Sequence, residues 1–141
     1  MQHLTAPTRT RDIVRGWKLV DVKGKILGRV TNEIAELLEG KGKEYFAKNM
    51  DCGDNVVVIN AKEVAVTGKK EDEKMYANYS GYPGGHKEKP LWKIRSEKPR
   101  ELIRHAVWGM LPKNKLRHRM ITRLFVYEGD SHPYQKNLDS K

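Results

Sequence analysis

The chain has 141 residues, a formal net charge of +10 at pH 7 and a single cysteine. This length suits one domain with one core, and a lone cysteine excludes an intrachain disulfide and a cysteine-based zinc cage. Because charged residues make up 33% of the chain and hydrophobic residues only 38%, we expect a modest core beneath a cationic surface that binds a polyanion.

The N-terminal half predicts a βαβ unit that follows a flexible arm. Residues 1–16 are polar and lack an apolar period, so we expect them to form the arm. Residues 17–22 suit a strand, and the unbroken apolar run 56–59 indicates a second strand, buried on both faces. Between them, apolar residues at helical spacing mark a helix that Gly40 ends: Leu27, Val30, Ile34, Leu37 and Leu38.

The middle of the chain predicts exposed structure. Residues 63–67 alternate weakly and suit a short strand. Residues 69–74 are too charged to enter a core, so we expect them on the surface. Residues 76–90 combine glycines and prolines with tyrosines, which indicates a long loop that packs no core of its own.

The C-terminal part predicts a further helix and a last strand. Pro99 is well placed to begin the helix, and its apolar stripe consists of Leu102, Ile103, Ala106, Val107 and Met110. Residues 113–123 are basic and partly helical, residues 124–127 suit a strand, and 130–141 form a polar tail. The alternation of strands and helices predicts a single α/β domain over 17–129 with a mainly parallel central sheet.

Most of the excess charge lies in one stretch, residues 87–123, which we call the basic segment. It contains twelve Lys or Arg against three Glu, a net of +9. A solvated basic surface is one interpretation, and an anionic membrane surface is another. A membrane-binding helix needs a large apolar face with aromatic anchors, which we do not find here, and no apolar run reaches the roughly 18 residues of a membrane span. The clustering favours phosphate binding.

A tyrosine and glycine stretch, residues 79–87, precedes most of this charge. Glycines let the backbone approach a phosphate closely, and the rings of Tyr79, Tyr82 and His86 can stack on unpaired bases. The alternative is a flexible surface loop. With the basic segment, the stretch supplies both halves of an RNA site, and RNA is favoured over duplex DNA because no helix-turn-helix, zinc finger or basic zipper is found.

A nucleotide-using α/β enzyme is the alternative function. Gly24 to Gly28 lies between a strand and a helix, where glycine loops cradle phosphates, and Arg29 could meet a phosphate at the helix start. The stretch lacks the complete spacing of a nucleotide-binding motif, so a tight turn is favoured. No activated nucleophile, metal-ligand spacing or cofactor motif is found. A third alternative is an interaction module that uses its basic face on an acidic protein.

The sequence resembles the large-subunit ribosomal protein thirteen family in its bacterial form, nearly end to end. Five ordered stretches carry the resemblance: Leu27-Gly28-Arg29; Asn60-Ala61-Lys62 through Val66-Thr67-Gly68-Lys69-Lys70; Tyr79 to Lys87; Gly109-Met110-Leu111-Pro112-Lys113; and Val126-Tyr127-Glu128-Gly129 with His132-Pro133. Five matches in order are far more specific than any single motif.

The resemblance implies a three-layer α/β/α domain with basic loops and extended tails, which binds large-subunit ribosomal RNA early in assembly. It implies neighbouring ribosomal proteins as partners and a place in the ribosome, either in the cytoplasm of a bacterium or in an organelle. It implies no catalysis, no cofactor and no small-molecule substrate. It also implies no membrane association and no homo-oligomer. The RNA-binding residues that it implies are Lys69, Lys70, Tyr79, Gly81, Tyr82, Gly84, Gly85, Lys87, Lys113, Arg117, Arg123 and His132. Local chemistry adds Arg29, Lys115 and Arg119.

One departure from the family pattern lies next to Lys113. Where the family usually continues Gly-Pro-Leu-Gly-Arg, residues 114–119 read Asn-Lys-Leu-Arg-His-Arg. Charged residues therefore replace flexible glycines, and the resemblance does not determine the path of the loop at 113–119.

Overall fold

A three-stranded parallel sheet organises the chain in the computed structural model, which describes residues 6–140. Predictions for residues 1–5 and for Lys141 lie outside the described residues. The strands are β1 (Trp17–Asp21), β2 (Asn55–Ile59) and β5 (Leu124–Val126), in the spatial order β1-β2-β5. Both pairings are parallel, which confirms the predicted α/β class.

One face of the sheet carries the main core. The register aligns Val20 with Val58 and Val58 with Val126, so these side chains point to the same face. Helices α1 (Leu27–Glu39) and α4 (Pro99–Met110) pack against each other and belong to the same buried cluster as these valines. Helix α1 ends at Gly40, whose φ of 80° is left-handed, as the stop signal predicted.

An aromatic cluster covers the other face of the sheet. The ring of Trp17 stacks on those of Phe125 and Tyr134, at centroid distances of 5.6 and 5.0 Å. Tyr134 precedes the short helix α6 (Gln135–Asp139), which contacts β1. The described part of the C-terminal tail thus lies on the second face of the sheet, opposite α1 and α4.

Two predictions for the middle of the chain are wrong. The expected loop 76–90 is an antiparallel hairpin of β3 (Met75–Tyr79) and β4 (His86–Pro90), because the glycines concentrate at its tip and leave the flanks free to pair. The expected strand 63–67 forms only a single bridge, between Ala65 and Ile26, after a 3₁₀ turn at Ala61–Glu63. The charged residues 69–74 are mostly exposed as predicted, with α2 at Lys70–Glu73.

Two further helices lie in the basic segment. Helix α3 (Leu91–Glu97) follows β4 directly and packs on α4, and no sequence pattern predicted it. Helix α5 (Leu116–Thr122) precedes β5 and confirms that residues 113–123 are partly helical.

The described part of the N-terminal arm contacts the loop between α1 and β2. Arg15 donates hydrogen bonds to the carbonyl oxygens of Gly53 and Asp51, at 2.7 and 2.9 Å. The amide of Gly16 donates to the Asp54 carboxylate at 2.9 Å, and the Lys43 ammonium lies 2.6 Å from the same carboxylate oxygen. The proposed division of the chain into arm, domain and tail remains a prediction.

Replacing Gly53 in this loop with alanine is expected to destabilise the fold by about 1–3 kcal/mol or more. A Cβ at Gly53 would lie 1.7 Å from the carbonyl oxygen of Leu38, which is backbone and cannot move aside like a flexible side chain. Gly42→Ala is the matched control, since nothing lies within 4 Å of a Cβ there. Urea denaturation followed by circular dichroism would measure both, and equal midpoints would contradict the clash.

Candidate nucleic-acid interface

The fold sorts the twelve cations of the basic segment into three groups. Five form ion pairs with carboxylates: Lys89, Arg95, Lys98, Arg100 and Arg123. Arg117 lies over the ring of Trp108, 3.9 Å from its centroid. The other six form no ion pair within residues 6–140: Lys87, Lys93, Arg104, Lys113, Lys115 and Arg119. These six can neutralise phosphates without giving up an internal partner.

Three of these free cations surround the start of α5. Lys113, Lys115 and Arg119 are all exposed. Asn114 orders the loop between them, because its side-chain oxygen accepts a hydrogen bond from the Arg117 amide at 3.2 Å. The segment before α5 is therefore a hydrogen-bonded turn beside three exposed positive charges.

Arg123 occupies a different place from the one that sequence reasoning gave it. Its guanidinium pairs with the Asp51 carboxylate and donates to the carbonyl oxygens of Asp54 and Leu38, both at 3.1 Å. Burial lowers the pKa of Arg123, and the nearby carboxylates of Asp51 and Asp54 oppose that shift. The side chain is only 11% exposed. We therefore assign Arg123 a structural role and leave it out of the proposed RNA surface.

Arg117 is held by stacking. The Arg117 guanidinium carbon lies 3.9 Å from the centroid of the Trp108 ring, a close cation–π contact, and His118 meets the same ring edge-on at 5.0 Å. Arg117 is half-buried, so it presents less of its charge to solvent than Arg119 on the same helix.

The hairpin tip presents the predicted tyrosines to solvent. The side chains of Tyr79 and Tyr82 are 64% and 75% exposed. Gly81 and Gly84 adopt left-handed φ angles of 88° and 72°, which other residues rarely accept, and the Gly85 amide closes the turn by donating to the Tyr82 carbonyl at 2.9 Å. Two aromatic side chains are thus largely exposed to solvent.

The remaining predicted residues lie apart from the tip. Arg29 is exposed in the first turn of α1, and Lys69 and Lys70 are exposed at the start of α2. His132 is half-buried, and its Nδ1 accepts a hydrogen bond from the Tyr134 amide at 3.3 Å. Within the described part of the chain, no hydrogen bond or ion pair joins these residues to the tip.

Three backbone amides of the turn at Gly24 to Gly28 already donate hydrogen bonds within the protein. The amides of Gly24 and Leu27 donate to the carbonyls of Glu63 and Ala65, at 2.9 and 2.8 Å, and the Lys25 amide donates to Val22 at 3.1 Å. A phosphate cradle needs such amides free. The geometry therefore favours the tight-turn interpretation over the nucleotide-binding one.

Sequence reasoning missed Arg104 and Trp108. Arg104 is exposed and free of ion pairs, and Trp108 is half-buried beneath Arg117. Their spacing of four residues along α4 places them on one side of the helix, a signal that the sequence contained.

Among residues 6–140, no group of three or more His, Cys, Asp or Glu is arranged to hold a metal ion. No described helix is both long and apolar enough to cross a membrane.

Comparison with known proteins identifies one family. The family model described as Ribosomal protein L13 matches residues 15–133. The chain is 50% identical over 127 residues to the large ribosomal subunit protein uL13 of Aquifex aeolicus, a match that covers 90% of this chain and 88% of the relative. It is 47% identical over 139 residues to the protein of the same name from Geobacter sp. strain M21, with 96% and 98% covered.

Proposed function

The chain belongs to the ribosomal protein L13 family, and on that premise we propose that it is a structural component of the large ribosomal subunit that binds large-subunit ribosomal RNA. In this proposal the six free cations of the basic segment neutralise phosphates, and the tyrosine hairpin tip contacts unpaired bases. The protein supports early subunit assembly, lies beside other ribosomal proteins in the ribosome and catalyses nothing.

The observation that best supports this proposal is that, within residues 6–140, the carboxylates of the basic segment are all paired, while six of its cations are not. Each glutamate of the basic segment already has a cationic or histidine partner: Glu88 with His86 at 3.0 Å, Glu97 with Lys89 at 3.0 Å, and Glu101 with Lys98 at 3.2 Å. The cations that remain are therefore uncompensated locally. A surface kept only for solubility is served by interspersed charges of both signs, whereas uncompensated cations are available to neutralise a phosphate backbone.

The proposed residues remain those of the sequence prediction, with Arg123 removed and Lys93 and Arg104 added. They are Arg29, Lys69, Lys70, Tyr79, Gly81, Tyr82, Gly84, Gly85, Lys87, Lys93, Arg104, Lys113, Lys115, Arg117, Arg119 and His132. The cations contribute the salt-dependent part of the affinity, and the tyrosines contribute stacking.

Binding of the full chain to a large-subunit ribosomal RNA transcript is expected to weaken steeply as salt is raised. Six phosphate contacts predict a slope of about −4 to −5 in a plot of log affinity against log salt concentration. Filter binding at a series of KCl concentrations would measure it. A flat response would contradict the proposal.

The same proposal predicts the behaviour of the protein in cells. It should sediment with large ribosomal subunits and stay with them through a moderate salt wash. If ribonuclease did not release the protein from its complexes and only a salt wash did, the alternative of an acidic protein partner would be favoured.

A further inference from the structure

A groove of about 680 Å³ lies between the β3–β4 hairpin and helix α4. Its size falls within the range of small-ligand sites, roughly 300–1,000 Å³. Apolar side chains contribute to its lining, those of Ile94, Leu102 and Ile121. Such a surface suits a flat apolar group better than a hydrated ion.

The pairing of the hairpin gives the groove its polar side. Tyr76 pairs with Lys89, and Asn78 pairs with Lys87, so all four side chains lie on one face of the hairpin. All four line the groove. Tyr79 belongs to the opposite face, because it alternates with them along β3. The hairpin therefore has two different faces, and the one toward the groove offers an amide and two ammonium groups.

Aromatic rings form the sides of the groove. Tyr76 and His105 meet edge to face, with centroids 5.1 Å apart and planes at 81°. His105 and Trp108 are three residues apart on α4 and so lie on the same side of that helix. Burial raises the pKa of Tyr76, which keeps its phenol neutral and able to donate a hydrogen bond.

The charges around the groove are partly cancelled. Lys89 pairs with Glu97 at 3.0 Å, and Lys98 pairs with Glu101 at 3.2 Å. Lys87 and Arg104 also line the groove and have no ion pair among the described residues. Two free cations beside a cleft with both apolar and polar lining residues suit one flat group that carries a phosphate on each side.

We propose that this groove receives a single unpaired nucleobase of the bound RNA, stacked on the exposed ring of His105, while Lys87 and Arg104 contact the flanking phosphates. The inference rests on the proposed function and gives that function a defined subsite. Aromatic rings and an amide beside an apolar floor match a base, which has a π-face and hydrogen-bonding edges. A protein partner fits less well, since the centres of protein interfaces are depleted of lysine.

Photocrosslinking would test the groove directly. Large-subunit ribosomal RNA containing 4-thiouridine would be bound to the full chain, irradiated at long wavelength and digested, and the crosslinked peptides would be identified by mass spectrometry. The proposal predicts adducts on the segments around Tyr76 and His105. Binding with adducts only at the tip or on α5 would overturn the groove and leave the proposed function standing. Failure of the RNA to bind at all would overturn both.

A pair of variants measures the contribution of stacking. His105→Ala removes an exposed ring from the groove and is expected to lower RNA affinity about fivefold or more and to lower the crosslink yield at Tyr76. Trp92→Ala is the control, because it removes a 51% exposed ring that does not line the groove, and it should change affinity less than about twofold. Equal effects of the two variants on RNA affinity would overturn the proposal. Crosslinks in intact large ribosomal subunits that join the groove to another protein instead of RNA would also overturn it.

Discussion

Replacing Arg123 with alanine is expected to lower the free energy of unfolding by about 3–5 kcal/mol, a large part of the roughly 5–15 kcal/mol that stabilises a typical domain. The substitution leaves the Asp51 carboxylate without its closest partner and the carbonyls of Leu38 and Asp54 without this donor. The side chains of Arg123 and Asp51 are only 11% and 10% exposed, so water cannot readily replace the guanidinium. Arg15 stays 3.6 Å from the other Asp51 oxygen and still partly compensates this carboxylate. We therefore expect a loss in the lower half of the range of about 3–5 kcal/mol.

Urea denaturation at neutral pH, followed by circular dichroism, would measure this loss. Arg119→Ala is the matched control, since it removes an exposed arginine with no ion pair among the described residues and should change stability by less than about 0.5 kcal/mol. Arg123→Lys should fall between the two, because one ammonium cannot reproduce the planar set of donors. If Arg123→Ala were as stable as Arg119→Ala, the structural role assigned to Arg123 would be wrong.

Removing the three free cations around α5 is expected to weaken RNA binding by about 10- to 100-fold at about 0.1 M salt, with little change in stability. The variant combines Lys113→Ala, Lys115→Ala and Arg119→Ala, all at exposed positions. Each lost phosphate contact makes the salt dependence shallower by about 0.7–0.9, so the three together reduce the slope by about 2–3. Filter binding over a salt series would give both quantities.

A charge-matched control separates local contacts from overall charge. Lys18, Lys48 and Lys136 are also exposed and form no ion pair within residues 6–140, but they lie outside the basic segment. Changing these three to alanine removes the same net charge and should lower affinity less than about threefold. Equal losses in the two triple variants would show that long-range attraction, and not a defined surface at α5, drives binding.

The local features of the fold were readable from the sequence because they depend on neighbours along the chain. Helical spacing predicted α1, and Gly40 marked its end. The apolar run 56–59 predicted a buried strand, and β2 is the central strand of the sheet. The hairpin was missed because backbone pairing, and not apolar alternation, holds it: its β4 strand reads His-Lys-Glu-Lys-Pro, and four of its five residues are exposed.

The sequence by itself determined the α/β class, the family and the concentration of positive charge in residues 87–123, since apolar period, motif order and net charge need no coordinates. Only the tertiary structure decided which of those charges are free. Arg119 and Arg123 lie four residues apart in the same basic segment, yet one is exposed to solvent and the other is buried against Asp51, 72 positions away in the chain. The physical reason is that an ion pair depends on distance in space, and partners so far apart in sequence are brought together only when the chain folds.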